Sequence, residues 1–312
     1  MSFSTTRTAI VDRFSHSFPF QVIKSCSSSE EIFNLLKNIM EKEYKIIPSK
    51  ERIGKGSVYL AKTIGKPCFN CLNSISIFKQ NPWDFCNALI QKGDLETDRN
   101  LYNLGLALFS HLMSQTEDNI NIGFRVLPKY ASHPNWEIRE MAGYAIRECM
   151  KRNPQETITA LWPYVRSEDE NNRRIVSESL RPLADISILR NPERNDMFLE
   201  LLHSIKDDSS EYVRKSVGNN LKDLTKYMPE KILTLLQNWS KEYKINVTED
   251  LASKTKKEIE DKEYNFIWMM KHALRWLRER NPEFHPQIEK LLGRNYVQYY
   301  DEKKNRLTKP PT

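Results

Sequence analysis

Along most of this chain, apolar residues recur at three- and four-residue intervals, the period of a buried helix face. In EEIFNLLKNIMEKEYK (30–45) they are Ile32, Leu35, Leu36, Ile39 and Met40, which predicts an amphipathic helix. Between 46 and 80 the pattern breaks. Pro48, Gly54, Gly56, Gly65 and Pro67 punctuate short β-branched runs such as SVYLAKTI and NSISIF, which predicts irregular structure with a small hairpin. Helical spacing returns near 83 and continues to 293, with turns expected at Pro134, Pro154, Pro163, Pro192, Pro229 and Pro282.

Inside the helical part the sequence repeats. REMAGYAIRE (139–148), RRIVSESLRP (173–182), RKSVGNNLKD (214–223) and IWMMKHALRW (267–276) align without gaps, at offsets of 34, 41 and 53 residues. Their eighth position is Ile146, Leu180, Leu221 or Leu274, and their ninth is always basic: Arg147, Arg181, Lys222 or Arg275. Spacings in this range belong to two-helix repeats whose apolar faces are completed only by stacking on a neighbour. The expected fold is all-α, a HEAT-like repeat α-solenoid. In the clearest copy Val213, Val217, Leu221 and Leu224 form the buried stripe, leaving Arg214, Lys215, Asn219, Lys222 and Asp223 for solvent or a ligand.

Charge refines this picture. Of 48 Lys+Arg and 41 Asp+Glu residues, the segment 111–245 carries 20 of each, while the two ends hold the basic excess that gives +7. A basic balance suits a polyanionic partner, and the neutral but densely charged middle suits helices with solvated faces. No stretch approaches the roughly 18 uninterrupted apolar residues of a membrane span, and no apolar block follows the charges of the N-terminus. A cytoplasmic protein with reduced thiols is therefore expected. Cys68 and Cys71 form a lone CxxC with no second thiol pair or HxxxH, so they read as two thiols in a loop rather than a zinc site. P-loop, dinucleotide-binding and nucleophile-elbow motifs are absent from the sequence.

The segment from Asp207 to Lys226, DDSSEYVRKSVGNNLKDLTK, followed by Met228-Pro229-Glu230, resembles the hallmark of the HEAT-like DNA alkylation-repair glycosylases, closest to their AlkC branch. Three more stretches agree in order: Trp136-Glu137-Ile138-Arg139-Glu140 with Ala142 and Gly143; Ser177-Glu178 with Arg181-Pro182; and Lys271-His272-Ala273-Leu274-Arg275 leading to Leu291-Leu292-Gly293. The likeness covers roughly 110–295. It departs from the family pattern at 220–222, where Asn-Leu-Lys precedes Asp223, and at 183–186, where Leu-Ala-Asp-Ile follows Arg181-Pro182.

The resemblance implies a monofunctional glycosylase with a concave DNA-binding face, removing cationic N-alkylated purines such as 3-methyladenine, and 7-methylguanine as a further substrate, from duplex DNA. It implies no cofactor, no metal, a monomer and a bacterial cytosolic or nucleoid setting. It divides the chain into an N-terminal helical or irregular cap (1–110), a glycosylase domain (111–295) and a basic tail (296–312). A purine alkylated at N3 or N7 is already a cationic leaving group, so the protein need only stabilise an oxocarbenium-like sugar and guide water, work suited to carboxylates. The family's acids map onto Glu140 and Asp223, with Glu178 in support. DNA contacts map onto Trp136, Arg147, Arg174, Arg181, Arg214, Lys215, Asn219, Lys222, Lys271, His272 and Arg275.

The residues themselves allow plainer roles. Glu178 has helical spacing to Arg174 and Arg181 and can simply pair with them. Glu140 can pair with Arg147, Trp136, Trp268 and Trp276 can be packing residues, and the ninth-position cations can bridge to acids of neighbouring repeats. A non-catalytic HEAT module, binding DNA structure or serving as a protein scaffold, is the rival reading. Lys50, Arg52, Lys55, Lys62 and Lys66 suit either a DNA backbone contact or a solvated loop.

Overall fold

The computed structural model describes residues 20–49, 56–183, 186–243, 261–292, 300–301 and 306–307 of the 312. The chain divides into two units, Met1–Ala160 and Leu161–Thr312. Both are helical. The first holds α1 (Phe20–Lys24), α2 (Ser29–Ile46), α3 (Gly56–Leu72), α4 (Ser76–Gln80), α5 (Pro82–Leu95), α6 (Arg99–Met113), α7 (Glu117–Ala131) and α8 (Trp136–Arg152), and α9 (Pro154–Leu161) runs across the division. The second holds α10 (Glu170–Ser179), α11 (Asp196–His203), α12 (Glu211–Leu224), α13 (Pro229–Ser240), α14 (Asp261–Arg280) and α15 (His285–Leu292). Four short 3₁₀ turns accompany them, and in the tail Tyr300–Asp301 pairs antiparallel with Arg306–Leu307.

Each unit is a HEAT-like stack of two helical rows. In the first, α3, α6 and α8 pack one against the next, while α5 and α7 form a second row over α6 and α8. The centre is α6, in which every residue from Leu101 to Met113 is buried. In the second unit α10, α12 and α14 form one row, and α11, α13 and α15 each pack beside the helix they follow. The stripe Val213, Val217, Leu221 and Leu224 is buried, as its period requires. Prolines mark starts more than ends: Pro82, Pro154 and Pro229 each open a helix, where the missing N–H costs nothing.

Two expectations are corrected in 46–80. The segment from Gly56 to Leu72 is one helix, not a hairpin, and Pro67 lies inside it. A mid-helix Gly costs about 1 kcal/mol and Pro about 3, but Leu60, Ala61, Ile64, Cys68 and Phe69 bury almost completely and offset that cost. Gly65 is needed for this packing, since a Cβ there would lie 2.7 Å from the Cβ of Ala107 on α6. Cys68 and Cys71 therefore sit buried on a helix rather than in a loop. Burial raises both thiols, Cys71 to about 11, so they serve as small apolar side chains. Lys62 and Lys66 also belong to α3, whereas Lys50, Arg52 and Lys55 lie outside the described residues.

The repeat has a structural meaning at its first position. Arg139 Nη1 donates to the carbonyls of His133 (2.7 Å) and Pro134 (2.8 Å). Arg173 Nη1 does the same to Ser167 (2.8 Å) and Glu168 (2.9 Å), and Arg214 Nη1 to Asp208 (2.6 Å) and Ser209 (2.8 Å). Each guanidinium thus closes the loop that precedes its own helix, using carbonyls five and six residues back. Arg214 is buried by this role, contrary to its expected place on the free face. Arg173 adds a two-pronged bond to Asp208, from Nε at 2.6 Å and Nη2 at 3.0 Å.

Replacing Arg173 with Ala should cost about 2–3 kcal/mol, because it leaves the Asp208 carboxylate with only the Ser210 N–H. Arg173→Lys should recover little of this, since one ammonium cannot fill a fork of four acceptors. Urea denaturation of the three proteins measures both effects, and a fully stable Arg173→Lys protein would contradict the account.

Candidate functional site

In the first unit the predicted acid Glu140 lies on α8. Its Oε1 accepts from Lys62 Nζ at 2.7 Å and from Arg147 Nη2 at 3.2 Å. Among the described residues no hydrogen bond reaches Oε2, and about a third of the side chain (35%) is exposed. Burial alone would raise this carboxyl, but the charges and hydrogen bonds of Lys62 and Arg147 outweigh it and lower it to about 2. Glu140 is therefore a fixed anion with one oxygen open. Lys62 also lies 5.3 Å from the ring centroid of Tyr144, one helical turn beyond Glu140.

The same unit contains a buried histidine that sequence reasoning did not single out. His111 of α6 has its Nδ1 3.6 Å from Glu148 and its Nε2 3.4 Å from the Tyr144 hydroxyl. Burial lowers it to about 4 despite Glu148, so it is neutral. Of the predicted DNA contacts here, Trp136 is exposed at the start of α8, and Arg147 is buried with its guanidinium on Glu140.

In the second unit, Asp223 of α12 meets three cations. Its Oδ2 accepts from Arg181 Nη2 at 2.5 Å and Nε at 3.2 Å; its Oδ1 takes Lys226 at 2.9 Å and Lys222 at 3.2 Å. Burial pushes this carboxyl up, yet the bonds from Arg181 and Lys226 and the nearby charges bring it to about 2. Unlike Glu140, Asp223 has both oxygens engaged. Arg181 reaches on to Glu178 Oε1 at 3.5 Å, whose Oε2 accepts from Arg174 and from the Ser216 hydroxyl, each at 3.3 Å. Ser216 in turn accepts from Ser177 at 2.6 Å, and Asn220 donates to the Ser177 carbonyl at 2.7 Å. These hydroxyl and amide bonds tie α10 to α12 and hold Glu178 in place.

A second cluster joins α12 to α14. The Asn219 Oδ1 accepts from Arg275 Nη2 at 2.8 Å and lies 3.1 Å from His272 Nε2, while Arg275 Nη1 lies 3.1–3.2 Å from the two ring nitrogens of the histidine. Its ring stacks flat on Trp268, centroids 5.4 Å apart, and Arg214 lies 5.5 Å from the Trp268 ring. Gly218 makes room for this stack, because a Cβ there would lie 2.8 Å from His272. Burial, then the charges of Arg275, Lys215 and Lys222, lower His272 to about 4. Lys215 is exposed, and burial with the Arg278 charge lowers Lys271 to about 8.

Within the second unit, then, Arg174, Glu178, Arg181, Lys222 and Asp223 form one network, and Asn219, His272 and Arg275 form another. Of the ninth-position cations, Arg181 crosses to the acid of the next repeat and Arg275 to the amide of the preceding one, while Arg147 and Lys222 pair with acids of their own helices. Two of these pairings escaped the sequence reading. Lys226 binds Asp223 and lies 4.6 Å from the Trp276 ring, and its signal was its i+3 spacing from Asp223. Lys62 reaches Glu140 across 78 residues of chain and left no local signal. The described residues hold no group of three or more His, Cys, Asp or Glu placed to bind a metal ion, and no described helix is long and apolar enough to cross a membrane.

No protein-family model matches the chain. An uncharacterised protein of Bacillus subtilis (strain 168), YhaZ, is 30% identical over 100 residues, which is 31% of this chain and 28% of YhaZ. Less than a third of that relative is thus spanned. In fold the chain is similar to the Pseudomonas fluorescens alkylpurine DNA glycosylase AlkC, solved bound to DNA containing an abasic site analog. That likeness has 22% identity and a TM-score of 0.49, and it covers 86% of this chain and 69% of the other.

Because the folded Asp223 carboxyl binds its proton less tightly than an unfolded aspartate of pKa about 4, its contribution is complete above pH 4 and lost as pH falls toward 2. Asp223→Asn should remove about 2 kcal/mol at pH 7 and flatten stability between pH 4 and 2. Urea denaturation across that range is the test. An unchanged acid dependence in the variant would mean that Asp223 is not the group responsible.

Proposed function

We propose that this protein is a monofunctional DNA glycosylase, acting as a monomer without a cofactor, that excises cationic N-alkylated purines from duplex DNA. The substrate class is 3-methyladenine, with 7-methylguanine as a second. The observation that carries this reading is the Glu140 carboxylate, held ionised by two cations on Oε1 while Oε2 remains open. The motif agreement across 110–295 supports it further.

The chemistry follows from that geometry. When the bond between C1′ and the base nitrogen breaks, its electron pair leaves with the base, which departs neutral, and positive charge develops on the sugar. A carboxylate already ionised and already oriented stabilises that charge without reorganising. A group of pKa about 2 is a poor base, so Glu140 acts by charge and by accepting a hydrogen bond from the water that adds to C1′. The added water passes its proton to solvent.

Asp223 and Glu178 receive a different share. Their oxygens are spent on Arg174, Arg181, Lys222, Lys226 and Ser216. Their proposed work is to hold those cations in position for phosphates, beside Lys215, Lys271, His272 and Arg275. Arg147 and Arg214 are buried on protein partners and act through the structure rather than on DNA.

The test is release of free 3-methyladenine and 7-methylguanine from methylated duplex DNA. Wild-type protein should release base, and Glu140→Gln should lose about 10²–10³-fold in rate while binding DNA normally. Asp223→Asn should retain excision within about tenfold, and charge reversal at Arg181 or Lys222 should weaken DNA binding and reduce its salt dependence. An active Glu140→Gln protein would remove Glu140 from the chemistry. A folded wild-type protein that releases no base would favour the non-catalytic HEAT module.

A further inference from the structure

We infer that Lys62, on the N-terminal helix α3, is a positioning residue for Glu140: it clamps Oε1 so that Oε2 is the oxygen presented to the reacting sugar. This rests on the glycosylase reading, and it extends the working site into the first hundred residues, where the motif resemblance does not reach.

The geometry is specific. Two cations share Oε1: Arg147, two turns along the same helix, and Lys62, from a different helix. Arg147 is almost completely buried, so it bears on the inner side of the carboxylate, while the Lys62 ammonium is the shorter of the two contacts at 2.7 Å. Lys62 is held in turn. Its ammonium lies against the Tyr144 ring, its helix packs directly on α8, and Gly65 lets that helix approach α6 closely. A solvated surface lysine has no such seat.

Removing the ammonium should have a particular signature. Burial pushes Glu140 upward, and Lys62 is the leading opposing influence. With Lys62→Met, which keeps the length of the side chain and loses the charge, the Glu140 carboxyl should titrate higher, by about 1–3 pH units, while Arg147 stays in place. It would then be protonated, and useless for stabilising a cation, as pH falls.

The experiment compares wild type, Lys62→Met and Lys62→Arg in single-turnover base release, with protein in varied excess over methylated DNA, from pH 4 to 9, together with a ¹³C NMR titration of the Glu140 carboxyl. Wild type should be flat through this range as far as Glu140 is concerned. Lys62→Met should lose rate by about twofold or more toward pH 4, with little change in the protein concentration that gives half the maximal rate, and its Glu140 titration should move up by about 1–3 pH units. Lys62→Arg should restore the flat profile. If Lys62 only touches DNA phosphate, Lys62→Met will raise that half-maximal concentration at every pH with no loss of rate toward pH 4 and no shift at Glu140, and the inference fails. A loss of stability alone, with both profiles flat, overturns it too. If wild type releases no base, the glycosylase reading and the positioning role fall together, and the carboxyl titration separately reports whether the clamp exists.

Discussion

The fold rests on an arginine that turns back on its own chain. At the first register position of three repeats, one guanidinium nitrogen bonds two carbonyls of the preceding loop, which fixes where the helix begins. A helix whose start is fixed has a fixed rotation, because each residue turns the face by about 100°. The eighth position then points into the core, and the ninth emerges beside the neighbouring repeat. Arg181 and Arg275 owe their partners on the neighbouring helix to this geometry, whereas Arg147 and Lys222 bond acids of their own helices. The loop carbonyls gain charge-assisted donors from the same bond.

That register also decides what the acids can do. Glu140 and Asp223 are both carboxylates lowered to about 2 by adjacent cations. They differ in how many of their oxygens are used. Asp223 receives bonds on both, so it is a counter-ion that binds Arg181, Lys222 and Lys226 into an array. Glu140 is clamped on one oxygen and open on the other, the arrangement suited to meeting positive charge outside the protein. Charge state is alike in the two cases, and the number of bonded oxygens is what differs.

Polar bonds between neighbouring helices of one row give the second-unit networks their stiffness. Ser177, Ser216 and Asn220 link α10 to α12, and Asn219, His272 and Arg275 link α12 to α14. Such groups are expensive to bury unless bonded, so they favour one alignment of the helices over slipped alternatives. The close seat of His272 over Gly218 works in the same direction.

The apolar period, the repeat register and the basic ninth position were legible in the sequence because each is a local property of a helix. The stripe Val213, Val217, Leu221 and Leu224 and the pairing of Glu178 with Arg174 and Arg181 could be read directly. The helix Gly56–Leu72 could not, because its glycine and proline break local rules and only the surface of α6 compensates for them. Nor could the role of Arg214, since a cation's partners depend on how the loop before it folds. The contact between Lys62 and Glu140 spans 78 residues, and no spacing rule predicts a bond of that range. By itself, the sequence determined the helices with a regular apolar period and the stripes they bury. Only the tertiary structure decided which oxygen of which acid is left open, because that depends on where distant cations come to rest.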